Sequence, residues 1–63
     1  MKLIKLTLHS DKKQDVYVNV EQICYMIDRD THTNIATHND AGLSVNQSIG
    51  EVINLINKAI DNK

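Results

Sequence analysis

The stretch SIGEVINLINKAID, residues 48–61, decides the fold, because it carries a complete helix signature. Ser48 followed three residues later by Glu51 reads as a capping box, in which each side chain satisfies a backbone N–H at the open end of the helix. Ile49, Val52, Ile53, Ile56 and Ile60 recur at spacings of three and four, so at roughly 100° per residue they share one stripe. Leu55 and Ala59 widen that stripe, while Gly50, Glu51, Asn54, Asn57, Lys58 and Asp61 take the opposite face. A helix this broadly apolar needs a wide apolar surface to cover it.

The preceding sequence supplies that surface as strands. In KLIKLTLH, residues 2–9, Ile4, Leu6 and Leu8 alternate with Leu3, Lys5, Thr7 and His9, the pattern of a half-buried strand. Residues 10–14 are polar and form a loop. Val16, Val18 and Val20 then alternate with Tyr17 and Asn19, and β-branched residues suit a pleated strand. Asn19 marks a turn over residues 19–22, since its side chain can bond the backbone two positions on. In the third strand Ile23, Tyr25 and Ile27 alternate with Cys24, Met26 and Asp28; with both faces apolar, it is expected to be central or to face a second subunit. After the charged loop DRDTH, Thr33, Ile35 and Thr37 fit a short fourth strand, Asn39, Asp40 and Gly42 a hairpin turn, and Leu43 with Val45 a fifth strand. The expectation is an α+β fold, a small antiparallel β-meander of four to five strands packed by one C-terminal α-helix, as a single domain over residues 1–63.

Composition narrows the function. A chain of 63 residues buries only about 60% of its unfolded surface, and one cysteine excludes an internal disulfide, so association is the expected support. Apolar residues make up 41% of the chain without Phe, Trp or Pro, so the core is aliphatic. Residues 1–13 carry +3 through Lys2, Lys5, Lys12 and Lys13 against Asp11, and the remaining fifty carry −4. A net charge of −1 argues against a dedicated nucleic-acid binder, whose affinity comes mainly from phosphate neutralisation. The remaining basic candidate is a patch of Lys2, Lys5, Lys12, Lys13 and Tyr17, which would act as a weak nucleic-acid-binding module. No apolar run approaches the roughly 20 residues that cross a bilayer, and no signal-peptide core follows Met1, so a cytoplasmic location without membrane insertion is expected.

Chemistry-bearing groups are sparse. His9, His32, His38 and Cys24 follow neither a CxxC nor an HExxH spacing, so no metal site is expected. A free cysteine such as Cys24 is more often a buried apolar residue than a nucleophile. Asp28, Asp30 and Asp40 lack the ligand alternation of a calcium loop, and Gly42 and Gly50 stand alone rather than in a phosphate cradle. No catalytic residue and no cofactor site is assigned, and binding rather than catalysis is expected.

Taken together, KLIKLT, VYVNVEQI and TNIATHNDAGLSVNQSIGEVINLI resemble the small flagellar FlbD family, called SwrD where it supports swarming. The matching positions are Ile4 and Thr7, Asn19 and Ile23, Thr33 and Ile35, then Val45, Gln47, Ser48, Glu51 and Val52. The family's Pro-Asp-Thr is replaced here by residues 30–33 without proline, its acidic residue before the capping serine by Gln47, and its turn glycine by Asp40. The resemblance implies a non-enzymatic protein-binding accessory factor of flagellar motility. The alternative, from small size, mild acidity and AT-rich composition, is a phage or mobile-element protein that inhibits a host immune protein, in the manner of an anti-CRISPR.

A surplus of apolar positions predicts assembly. One helix covers one sheet face, yet Cys24 and Met26 alternate with Ile23, Tyr25 and Ile27, so a homodimer is expected with Leu3, Cys24, Met26 and Leu55 as contacts.

Overall fold

A computed structural model describes residues 2–38 and 42–61. Among these, β1 (Leu3–Thr7) pairs with β2 (Asp15–Asn19), and β3 (Ile23–Asp28), β4 (Thr33–Thr37) and β5 (Leu43–Val45) form a second antiparallel sheet in that order. The helix α1 (Ile49–Asp61) lies against β1 and β3. This is the expected α+β fold, with the strands divided between two sheets.

A short seam joins the sheets. Leu8 bridges to Val45, the His9 N–H donates to the Ser44 carbonyl at 2.9 Å, and the Asn46 N–H donates to the Thr7 carbonyl at 2.8 Å. The strands therefore run β2-β1-β5-β4-β3, with β2 and β3 at the two outer edges. A 3-10 turn at Val20–Gln22 carries the chain from one edge to the other, and Asn19 Oδ1 caps it by accepting the Glu21 N–H at 3.1 Å. That is the Asn19 turn read from sequence. The hairpin turn expected at Asn39, Asp40 and Gly42 falls mainly on residues 39–41, outside the described residues; Gly42 itself does not adopt positive φ.

Alternation sorts β1 and β2 as expected. Ile4, Leu6 and Val18 are buried, and Leu3, Lys5 and Tyr17 face solvent. They meet Ile35, Val45 and Val52, all fully buried, in one aliphatic core. Thr33 is also fully buried; its hydroxyl donates to the Gln47 carbonyl at 2.8 Å, removing the cost of an unpaired polar group. Gln47 also accepts the Thr7 N–H through Oε1 at 2.9 Å, pinning the lead into the helix to β1.

Three expectations are corrected. First, β3 is an edge strand, and its register slips between Ile23 and Tyr25, so Cys24 is an extra residue in a β-bulge. The slip places Met26 with Ile23 against the core and turns Tyr25 and Ile27 outward, contrary to simple alternation. Cys24 is exposed rather than buried. Second, the buried stripe of α1 is rotated: Val52 is fully buried with Leu55, Ile56 and Ala59 half-buried beside it, while Ile53 and Ile60 are 45% and 50% exposed. The helix crosses two strands that meet it from the Leu55 and Ala59 side, so the other flank is left uncovered. Third, the capping box is half formed. Ser48 Oγ accepts the Glu51 N–H at 3.2 Å, but the Glu51 carboxylate meets the Ser48 hydroxyl at 3.4 Å instead of its backbone N–H.

Candidate interaction surface

The outer face of β1 and β2 carries two residues of the basic patch read from sequence, Lys5 and Tyr17. Lys5 sits opposite Tyr17 in the ladder, and Lys5 Nζ lies 3.7 Å from the Asp15 carboxylate, so part of its charge is neutralised at the surface. Lys2 Nζ points instead to the Ile60 carbonyl at 3.4 Å, near the C-terminal end of α1, where a cation is favoured. Lys12 and Lys13 occupy the β1–β2 loop, which Lys13 turns with φ of 48°. Lys5 and Tyr17 thus share the outer face, Lys12 and Lys13 the adjoining loop, and Lys2 the side near the end of α1.

The proposed contact residues also separate. Leu3 and Cys24 are exposed, whereas Met26 and Leu55 are half-buried against the molecule's own core. The apolar side chains that remain on ordered elements are Leu3, Tyr17, Tyr25, Ile27, Ile53 and Ile60. Beside Tyr17 a cleft of about 250 Å³ runs along β2, lined by Val16, Val18, Asn19, Gln22, Thr37 and Leu43. It is shallow and largely apolar, the form of a contact surface more than of an enclosed small-molecule site.

At the far end of the sheets, His9 and His32 stack face to face, with ring centres 4.4 Å apart and planes 8° from parallel. Nδ1 of His9 lies 2.6 Å from Asn46 Oδ1, and Nδ1 of His32 lies 2.9 Å from the Thr31 hydroxyl. The stack ties the β1–β2 loop to the β3–β4 loop next to a second cleft of about 240 Å³, lined by His9, Ser10, Asp11, Lys13 and Asn46. Sequence offered no signal for it, since the two histidines lie 23 positions apart and meet only through the Leu8–Val45 seam. His38 is exposed and apart from both. Among the described residues no three His, Cys, Asp or Glu side chains converge to hold a metal ion, and no helix is long and apolar enough to cross a membrane. No family model, no curated protein and no solved structure matches the chain.

Proposed function

We propose that the chain is a small non-enzymatic protein-binding factor, acting in the cytoplasm as a homodimer and serving flagellar motility as its resemblance to the FlbD family implies. The observation that carries the reading is the exposure of large apolar side chains on regular structure, with Tyr17 62%, Tyr25 58%, Ile60 50% and Ile53 45% exposed. Large apolar groups held at the surface on strands and a helix are available for contact with another protein, which buries them. Among the described residues every buried side-chain nitrogen or oxygen has a hydrogen-bond partner.

A photo-cross-linking amino acid placed at position 53, in the native host, tests it. The expected result is a discrete adduct with a flagellar protein. An adduct with a host defence protein would transfer the chain to the inhibitor class, and adducts with nucleic acid alone would overturn protein binding.

A further inference from the structure

We infer that the free edge of β2 pairs antiparallel with β2 of a second copy, about a two-fold axis at Tyr17. The inference rests on the homodimer proposed above and assigns its surface.

Backbone direction comes first. The Leu8 N–H donates to the Gln14 carbonyl and the Val20 N–H donates to the Lys2 carbonyl, both at 2.8 Å, at the two ends of the register Ile4↔Val18 and Leu6↔Val16. Hydrogen-bonded pairs alternate along an antiparallel ladder. Val16 and Val18 therefore bond to β1, and the N–H and C=O groups of Asp15, Tyr17 and Asn19 point away from it. Among the described residues these outward groups have no backbone partner. They form an unbroken row of three residues, with no bulge in the β1–β2 register.

A two-fold axis at Tyr17 uses that row fully. Tyr17 then faces Tyr17 of the partner as a hydrogen-bonded pair, and Asp15 faces Asn19, so every outward donor meets an outward acceptor. The same register brings Lys13 opposite Glu21 twice over. Neither residue makes an ion pair among the described residues. On the inner face Val16 faces Val18 of the partner, extending the apolar lining of the cleft beside Leu43. On the outer face the two exposed tyrosines become cross-strand neighbours, a favourable aromatic pair. The edge of β3 offers no such match: the bulge at Cys24 breaks its row, and the Asp28 carboxylate already accepts the Asp30 N–H at 3.1 Å.

Sedimentation equilibrium over a concentration series provides the test. Tyr17→Pro deletes an outward N–H without touching the β1 ladder, and with one lost bond per copy it is expected to weaken dimerisation about 10–100-fold. Lys13→Glu and Glu21→Lys singly are each expected to weaken it about 3–10-fold, and the double variant to return to the parent value. Amide exchange at Tyr17 and Asn19 slows as concentration rises. A parent that dimerises with the same affinity in all four variants would overturn the β2 surface while leaving the dimer intact. A parent that stays near 7.1 kDa at millimolar concentration would remove the homodimer itself.

Discussion

Strands β2 and β3 invite comparison: each sets an inward apolar pair against the core, each has an exposed tyrosine third, and each is an outer edge. They differ by one residue. β2 keeps its alternation, so Val16 and Val18 face the core and its outer backbone groups form an even row. β3 inserts Cys24, and everything after it changes face. An edge strand with a bulge is twisted away from pairing, whereas an even one remains a template for it. The same aliphatic vocabulary thus yields one blunted edge and one open edge.

The largest test asks whether both strands share one core. Ile35 is fully buried in β4, opposite Met26 of β3, and packs in the same cluster as Val18 of β2. Ile35→Ala should cost about 2–5 kcal/mol, against a total on the order of 3–9 kcal/mol for a chain of this size. Urea denaturation should find a large share of the parent's stability lost and the midpoint strongly lowered. A variant as stable as the parent would mean that the β3 side contributes little to the common core.

The next test separates the faces of β3. Met26→Ala should cost about 1–3 kcal/mol because the side chain is half-buried against the core. Tyr25→Ala should stay within about 0.5 kcal/mol, as expected for a surface site. Simple alternation assigns the opposite order, so the ranking of the two melting midpoints decides between a bulged and a regular strand.

Much of this architecture was legible in the residues. Period-two runs, the Asn19 turn and the Ser48 cap each depend on local chemistry, and each element sits where its pattern placed it. What was not legible is set by tertiary contact. Nothing in ICYMID signals a bulge, because the inserted residue is not a glycine and both readings leave apolar groups on both faces. The rotation of α1 has the same origin: seven apolar residues span an arc wider than the contact, and the positions of β1 and β3 select Leu55 and Ala59 over Ile53 and Ile60. The homodimer expectation used the faces of simple alternation, so its contact set of Leu3, Cys24, Met26 and Leu55 mixes exposed with half-buried residues.

A smaller effect probes the helix that spans between β1 and β3. Ser48→Ala removes the acceptor for the Glu51 N–H and should cost about 1 kcal/mol, measured by thermal melting. Because only half of the reciprocal box is formed, Glu51→Ala should cost less than Ser48→Ala; equal losses would indicate that the Glu51 carboxylate does reach the Ser48 backbone.

The smallest expected change in stability comes from deleting Cys24, and it bears most directly on the two edges. Before the bulge Ile23 faces Thr37, and after it Tyr25 faces Ala36, so removing the exposed residue between them leaves consecutive pairs in register. The His38 N–H still donates to the Gln22 carbonyl and the Arg29 N–H to the His32 carbonyl, at the two ends of a ladder that now alternates without a break. Ile23 and Met26 keep their places on the core, so the melting midpoint should shift by no more than about 0.5 kcal/mol equivalent. The edge, however, becomes even, with Ile23, Met26 and Asp28 presenting their backbone groups outward as Asp15, Tyr17 and Asn19 do on β2. Light scattering of the deletion variant should therefore show species larger than the parent assembly, growing with concentration, because each copy now offers two pairing edges. If the variant unfolds, Cys24 is needed for the β3 register; if it folds and associates no more than the parent, the bulge is not what keeps that edge closed.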